Sequence, residues 1–280
     1  MSTYIHDLYA NMAEREFHVD REAAIAFFEG EIASPPTAMG ATRAALGKML
    51  RSLDLVGWSR HEESGRLDRK ALTRLAAGAT TVFSRRETKV ADKSAVTVLV
   101  DCSGSMVKAM RTAASVTIQL AKLLEQARVS VRVIGFTGSD PDQSATYDTD
   151  TKANEQVLII VPFKERGETL RAAAPKMGGI KDCASSGTPD YAALMHGIEE
   201  IAAQPESRKV VFFLTDAGSY EPTHIAQVQK FADRMGVTVI AIGIGCKVTK
   251  LFKHGADVSS ISDLGGKTFT ALLRTLRAKD

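Results

Sequence analysis

Cysteine is scarce in this chain of 280 residues. It has three cysteines, an odd number, and no two of them form a Cys-x-x-Cys pair. This argues against a scaffold held together by disulfide bonds and favours a reducing compartment. The sequence has no run of about 18 apolar residues that could span a bilayer, and its first residues lack the basic and then apolar order of a secretion signal. We therefore expect a cytoplasmic protein without membrane association.

The motifs of several enzyme classes are also missing. There is no Walker A sequence, so we do not expect the chain to hydrolyse ATP by itself, and there is no Gly-x-Ser-x-Gly elbow of a serine hydrolase. Gly243-Ile-Gly245 lacks the third glycine of a dinucleotide fingerprint and is interpreted as a tight turn. Cys102 and Cys246 follow predicted strands at one sheet edge and could approach each other, but they lack the fixed third ligand of a zinc site. No catalytic residue is predicted.

Composition and charge are those of an ordinary globular protein. The chain is 44% hydrophobic and 25% charged, with a net charge of +3, which does not predict a nucleic acid partner. Between residues 41 and 91, 11 Lys or Arg stand against 5 Asp or Glu, a local net charge of +6. This bias indicates either a solvated basic face or a docking patch for an acidic partner.

Strand and helix patterns alternate from residue 94 onward. Helices are expected at residues 106–126, 189–203, 222–235 and 268–277, where apolar residues recur at helical spacing. Several strands are apolar throughout, which is typical of parallel strands covered by helices on both faces. The alternation predicts an α/β fold with a doubly wound, mostly parallel sheet flanked by helices. Its strands are expected at residues 95–100, 129–136, 157–161, 209–214, 237–242 and 257–261.

Two domains are predicted. Residues 1–93 are expected to form an N-terminal extension of helices and a β-hairpin, and residues 94–280 the α/β domain. Helical spacing in the extension appears near residues 5–15, 20–32 and 36–55. Two short strand patterns at residues 58–60 and 80–86 are interpreted as its hairpin.

Residues 101–105 read Asp-Cys-Ser-Gly-Ser and directly follow an apolar strand pattern. The carboxylate of Asp101 and the hydroxyls of Ser103 and Ser105 therefore alternate on a loop that leaves a buried strand. Small oxygen donors of this kind suit a hard divalent cation such as Mg²⁺ and leave coordination positions open. The alternative is that Ser105 caps the helix expected from Met106.

Two later segments are expected at the same edge, because ligands of a doubly wound sheet bind at the carboxyl ends of its strands. Thr188 comes just before the helix that Pro189 opens, and Asp216 follows the apolar strand pattern 209–214. Taken alone, Thr188 could help to start that helix, and Asp216 could be a turn residue. Together with the first loop they predict a metal site made of Asp101, Ser103, Ser105, Thr188 and Asp216.

In this order, Asp-x-Ser-x-Ser, Gly-Thr-Pro before a helix and Thr-Asp after a strand resemble the metal-ion-dependent adhesion site (MIDAS) of the von Willebrand factor A (VWA) domain family. The resemblance covers residues 94–280. It implies that Ser103 and Ser105 bind Mg²⁺, or another divalent cation, directly, and that Thr188 binds it directly or through water. It also implies that Asp101 and Asp216 act mainly through bound waters.

Three further segments, at residues 63–75, 82–85 and 241–252, are similar to the C-terminal region of the CobT family. CobT is a subunit of the ATP-dependent cobaltochelatase of aerobic cobalamin synthesis. The resemblance implies an adaptor without activity of its own that joins an AAA+ ATPase, similar to CobS or MoxR, in a ring-shaped hetero-oligomer. A large third subunit of that complex inserts cobalt into the corrin ring.

The chain lacks the long N-terminal region and the acidic central tract usual in that family, and Gly187-Thr188-Pro189 is closer to the general A-domain pattern. Other functions therefore stay open. One alternative is a stand-alone metal-dependent protein-binding module. Another is an adaptor for a non-chelatase AAA+ machine, including one of a virus or mobile element. A metal-dependent enzyme is a third class, which turnover by the purified chain would reveal and which we do not expect.

Overall fold

The computed structural model describes residues 13–14, 20–33, 56–68, 71, 73, 78, 80–88, 94–126, 129–139, 157–184, 187–216 and 222–259. Within these ranges, no helix is long and apolar enough to cross a membrane. The strands, numbered along the chain, are β1 (Ala13–Glu14), β2 (Val56–Glu62), β3 (Arg66–Leu67), β4 (Phe83–Thr88), β5 (Ser94–Asp101), β6 (Ser130–Ser139), β7 (Val157–Lys164), β8 (Arg208–Thr215), β9 (Val237–Ile244) and β10 (Gly255–Val258).

A seven-stranded sheet lies at the centre of the described part of the chain, in the order β1-β7-β6-β5-β8-β9-β10. Strands β5, β6, β8, β9 and β10 run parallel to one another. Strand β7 is antiparallel to β6 and carries β1 alongside it in parallel. The predicted doubly wound, mostly parallel sheet is thus confirmed.

One helix prediction and one strand prediction needed correction. The helix expected over residues 5–15 is wrong at its end, because Ala13–Glu14 pairs with Ile159–Ile160 as β1. The unpaired hydrogen-bonding groups of an edge strand such as β7 can recruit a short segment whatever its own propensity. The last strand, expected at residues 257–261, is Gly255–Val258 and pairs with β9.

Helices cover both faces of this sheet. Those in the described ranges are α1 (Arg21–Ala33), α2 (Met110–Gln126), α3 (Ala174–Gly179), α4 (Asp190–Ala202) and α5 (Pro222–Arg234). The helices expected at residues 20–32, 189–203 and 222–235 correspond to α1, α4 and α5. No pattern predicted α3, and the helices expected at residues 36–55 and 268–277 lie outside the described residues.

The continuous helix expected over residues 106–126 is wrong in its first turn. A 3₁₀ helix occupies Gly104–Lys108, and α2 begins only at Met110. The tighter turn follows from bonds between residues three apart: the Met106 amide donates to Ser103 O (3.1 Å) and the Ala109 amide to Met106 O (2.8 Å). The chain therefore turns sharply at the carboxyl end of β5 before the regular helix starts.

Strand β5 is buried from both sides. Its alternate side chains enter two apolar layers: Val96 and Val100 join the layer under α1, α2 and α3, and Ala95 and Leu99 join the layer under α4 and α5. Helix α4 comes very close, since a Cβ added at Gly197 would lie 2.7 Å from Leu99 Cδ1. The residues that end β5 are therefore held from above and below the sheet.

Helix α1 packs on the layer formed by α2 and α3, although its residues belong to the predicted extension. Side chains of α2 bind the last carbonyls of α1: Gln119 Nε2 donates to Glu31 O, and Lys122 Nζ donates to Ile32 O (2.9 Å). The predicted hairpin lies in a separate three-stranded antiparallel sheet of order β2-β4-β3. The boundary at residue 93 stays a prediction.

Near the amino-terminal ends of the strands, a partly buried ion pair joins two elements. Arg166 Nε and Nη2 donate to both carboxylate oxygens of Glu200 (3.1 and 3.0 Å), and Thr97 Oγ1 donates to Glu200 Oε2 (2.7 Å). Burial on its own raises the pKa of Glu200. The hydrogen bonds from Arg166 and Thr97 and the positive charges of Arg166 and Arg132 outweigh burial, so the pKa of Glu200 is lowered from its usual 4.5.

Replacement of Gly178 tests the packing of α1 on α3. A Cβ at Gly178 would lie 1.9 Å from the backbone oxygen of Ala24, and a backbone atom cannot move aside as a flexible side chain can. We expect Gly178→Ala to lower the free energy of unfolding by about 2–3 kcal/mol. The control Gly30→Ala, with nothing within 4 Å of its new Cβ, should leave stability unchanged or raise it by up to about 1 kcal/mol. Urea unfolding that shows equal stability for the two variants would contradict this packing.

Replacement of Glu200 tests the ion pair. Glu200→Gln removes the negative charge that pairs with Arg166 and should destabilise the protein by about 2–3 kcal/mol near neutral pH. Because the folded-state pKa of Glu200 is lowered, its contribution is present above the unfolded pKa and is lost as the pH falls through the folded pKa. The stability difference between wild type and variant should therefore shrink below pH 4.5.

The matched control is Glu199→Gln, a change of the half-buried neighbour on α4, for which we expect a change within about 0.5 kcal/mol. Denaturant unfolding between acidic and neutral pH measures all three proteins. A difference between wild type and Glu200→Gln that is the same at every pH would contradict the assignment.

Candidate metal centre

The carboxylate of Asp101 lies at the carboxyl end of β5 and is fully buried. Both of its oxygens accept hydrogen bonds from neighbouring elements. The Ser103 amide donates to Oδ1 (2.9 Å), and Thr215 Oγ1, at the end of β8, donates to Oδ2 (3.0 Å). The two bonds hold the carboxylate in one orientation and tie the loop after β5 to the end of β8.

Burial has the largest effect on the pKa of Asp101. It raises the pKa of this carboxyl group, the hydrogen bonds from Ser103 and Thr215 oppose the rise, and the negative charge of Asp216 adds to it. The net result is a raised pKa. A cation beside the two carboxylates would favour their charged forms, so the site is suited to a positive ion.

The hydroxyls of the loop are placed as neighbouring ligands of a small cation would be. Ser103 Oγ and Ser105 Oγ are 3.0 Å apart and share a hydrogen bond. Adjacent ligands of an octahedral Mg²⁺ at about 2.1 Å are separated by about 3.0 Å, which is 2.1 Å times the square root of two. Ser103 is buried and Ser105 is exposed, so the pair extends from the interior of the protein to its surface.

The alternative role of Ser105 as a helix cap is wrong. The residue that precedes the 3₁₀ helix is Ser103, which makes no capping hydrogen bond through its side chain, and Ser105 lies inside that helix. The hydroxyl of Ser105 contacts Ser103 Oγ. Its position therefore agrees with the metal-site interpretation of the loop.

Asp216 directly follows β8 and is partly buried. Its Oδ1 atom is buried and has no hydrogen-bond partner within the described ranges. A buried carboxylate oxygen without a partner is costly unless it binds water or an ion. Since the charge of Asp216 acts on the nearby Asp101, this oxygen is the second carboxylate position of the candidate site.

Thr188 lies on a turn that is attached to the same edge of the sheet. Its neighbour Gly187 pairs with Gly138 at the end of β6, through bonds of 2.8 and 3.3 Å, and Thr137 Oγ1 donates to Gly187 O (3.3 Å). The Thr188 carbonyl accepts the amide of Asp190 (3.0 Å), and its side chain is half-buried. The structure thus joins four of the predicted residues by contacts or charge and places Thr188 on an adjacent turn.

The donor set fits a hard divalent cation. It consists of hydroxyl and carboxylate oxygens, which are the ligands that Mg²⁺ and Mn²⁺ prefer, whereas zinc sites are rich in thiolate and imidazole. Within the described residues, no three His, Cys, Asp or Glu side chains cluster at metal-ligand spacing.

Sequence reasoning missed two contacts at this site. Thr215 holds Asp101 in place, and the signal for it was available in the Thr-Asp pair that ends the strand. Cys102 was expected to be able to approach Cys246, but its sulfur lies 2.8 Å from that of Cys183. Cys246 Sγ instead lies 3.5 Å from the carbonyl oxygen of Thr215. No spacing rule relates Cys102 to Cys183, since only the packing of distant segments brings them together.

Several solved structures are similar to this chain. A von Willebrand factor type A protein from Catenulispora acidiphila is 20% identical, with a TM-score of 0.40, over 68% of this chain and 43% of that chain. Manganese-loaded TRAP protein of Plasmodium vivax is 13% identical, with a TM-score of 0.44, over 64% of this chain and 73% of that chain. Proximal thread matrix protein 1 of the mussel byssus, with a zinc-occupied MIDAS motif, is 18% identical, with a TM-score of 0.42, over 65% of this chain and 48% of that chain. The chain spans about half the length of the mussel protein.

A family model described as the cobalamin biosynthesis protein CobT VWA domain matches residues 82–277. The match covers more than half of the chain. It begins just before β4 and includes all of the predicted site residues. The resemblance found in the sequence is confirmed, and the chain belongs to the CobT VWA domain family.

Proposed function

We propose that the chain is a Mg²⁺-dependent adaptor subunit that binds an AAA+ ATPase partner in a cytoplasmic, cobaltochelatase-like complex. Its family supports a role in cobalamin biosynthesis. The observation that carries the proposal is the pair of hydroxyls, Ser103 Oγ and Ser105 Oγ, placed 3.0 Å apart beside the buried carboxylate of Asp101. This arrangement supports binding of a cation through ligands that do not neutralise it.

The residues of the chain would divide the binding task. Ser103, Ser105 and Thr188 would hold the cation through neutral oxygens, and Asp101 and Asp216 would accept hydrogen bonds from waters around it. A cation held in this way supplies a positive charge with an open position for a carboxylate of the partner. Because Thr215 and Ser103 already fix Asp101, the loop is oriented before the partner arrives.

The surface beside the loop supports an acidic partner. Val107, which is 65% exposed, and Lys108 lie on the 3₁₀ helix that contains Ser105. Lys247 is exposed on the loop that follows β9. That strand lies two positions from β5, or about 10 Å, and ends at the same edge. A partner segment that offers a carboxylate next to an apolar side chain would complement this surface.

We propose no catalytic residue in this chain. The loop binds a partner, and metal insertion belongs to a large third subunit of the complex. The assembly that we propose is a ring-shaped hetero-oligomer in which the adaptor links the ATPase to that subunit.

Binding of a divalent cation is the first test. Ser103→Ala and Asp216→Asn each remove an oxygen position or charge from the site, and each should weaken Mn²⁺ or Mg²⁺ binding about 10-fold to 100-fold. Isothermal titration measures the affinity, and the rise of the unfolding temperature with added cation gives an independent readout. The control Asp233→Asn changes an exposed carboxylate of α5 that lies 3.7 Å from Lys253, and it should bind as wild type does. Equal affinity in all four proteins would place the cation elsewhere.

Recruitment of the partner is the second test. We expect the tagged full-length chain to capture an AAA+ ATPase in Mg²⁺ and to lose it in EDTA, because the carboxylate contact needs the cation. Ser103→Ala should lose the ATPase while keeping its circular dichroism and unfolding temperature. The control Ser207→Ala changes an exposed serine that immediately precedes β8, far from the loop, and should capture the ATPase normally.

Two results would count against the proposal in different ways. Capture of the ATPase that is unchanged in EDTA would remove the metal from the interface. Metal-dependent capture of other proteins without any ATPase would favour a stand-alone binding module.

A further inference from the structure

Two cysteine sulfurs meet beside the metal loop. Cys102 Sγ and Cys183 Sγ are 2.8 Å apart, and their residues are 81 positions apart in the sequence. Both residues are buried, with 0% and 2% of their surface exposed. Both are free thiols in this structure. Neither takes part in the proposed metal binding.

Backbone interactions hold both cysteines in place. The amide of Cys102 donates to Phe136 O (2.9 Å), and its sulfur lies over Gly135, where an added Cβ would come within 2.8 Å of it. The amide of Cys183 donates to Ile180 O (3.2 Å) at the end of a short 3₁₀ helix. Their approach therefore follows from the course of the chain and from the absence of a side chain at Gly135.

The two sulfur atoms have only a short distance to close to form a covalent bond. A disulfide bond is about 2.05 Å long, so the two atoms need to approach by about 0.8 Å. Cys102 lies between Asp101 and Ser103, and Cys183 precedes Thr188 by five positions. A bond between them would tie the loop after β5 to the segment that leads to Thr188.

We propose that Cys102 and Cys183 are a reversible oxidative modification site, at which a hydroperoxide converts the two thiols to a disulfide. The pair is suited to a small, uncharged oxidant such as hydrogen peroxide, because both sulfurs are enclosed. Disulfides of proteins in reducing compartments are usually transient and redox-sensing. This site is independent of the proposed adaptor function, since its chemistry needs neither a cation nor a partner.

The reaction balances with hydrogen peroxide as the oxidant. One cysteine sulfur attacks a peroxide oxygen, the O–O bond breaks, and the sulfur becomes a sulfenic acid as one water leaves. The second thiol attacks that sulfur, the S–O bond breaks, and a second water carries away the remaining oxygen and the thiol proton. The two cysteines lose two electrons in total and the peroxide gains them. A dithiol reductant reverses the change and becomes a cyclic disulfide.

The test uses the full-length protein, reduced, freed of reductant and treated with hydrogen peroxide. Digestion without reduction and mass spectrometry should show one peptide pair joined through Cys102 and Cys183. Thiol titration should show the loss of two thiols per chain and their return after dithiothreitol. A bond between Cys102 and Cys246, or oxidation of Cys183 to a sulfinic acid without a cross-link, would overturn the proposal.

Three variants control for non-specific oxidation. Cys246→Ser should form the same cross-link, whereas Cys183→Ser and Cys183→Ala should form none. The unfolding temperature of each reduced variant shows whether it is folded, and the smaller Cys183→Ala change covers the case in which a buried serine hydroxyl is not tolerated.

Stability provides a second readout. The bond closes a long loop in the unfolded chain, so the oxidised protein should unfold at least about 5 °C higher than the reduced protein. The shift should persist in Cys246→Ser and be absent in Cys183→Ala. A cross-linked protein that unfolds at a lower temperature than the reduced form would show that the bond distorts the fold, and would overturn the proposal.

Discussion

The buried carboxylate of Asp101 is the constraint on which the candidate metal centre depends. Its two oxygens bind the amide of Ser103 and the hydroxyl of Thr215, so a single side chain sets the course of the loop and joins it to the neighbouring strand. The two serine hydroxyls lie 3.0 Å apart on this loop. Burial keeps water from competing for these bonds, and it leaves the carboxylates dependent on nearby positive charge.

The parallel sheet brings the segments around Asp101 together. Strands β5, β6 and β8 run parallel and end at one edge, so segments far apart in sequence place Asp101, Gly138 and Asp216 near one another. Both faces of β5 are covered by apolar side chains, which pack this strand against the helices above and below the sheet. At the other end of the strands, Arg166 and Glu200 join separate elements through a partly buried ion pair. The candidate metal-binding residues thus lie at one end of the sheet, and this ion pair lies at the other.

Much of the fold could be predicted from the sequence, because its signals are local. Apolar runs identified β5, β8 and β9, and helical spacing identified α4 and α5. The failures have physical causes. Ala13–Glu14 became a strand through pairing with β7, and the first turn of the expected long helix tightened into a 3₁₀ helix next to the loop. The first outcome depends on pairing with a distant segment, which propensity does not contain. The second follows from hydrogen bonds between residues three apart, which the apolar spacing does not reveal.

The sequence by itself determined the donor types and their order: a carboxylate and two hydroxyls after one strand, a threonine before a helix, and an aspartate after another strand. Those residue types predict a hard cation, because hard cations prefer oxygen ligands and the residue type alone fixes which ligand atoms a side chain carries. Only the tertiary structure decided that Thr215 binds Asp101, that Cys102 meets Cys183, and that the buried Oδ1 of Asp216 has no hydrogen-bond partner among the described residues. These contacts join residues far apart in the chain, and packing of the whole sheet brings them together.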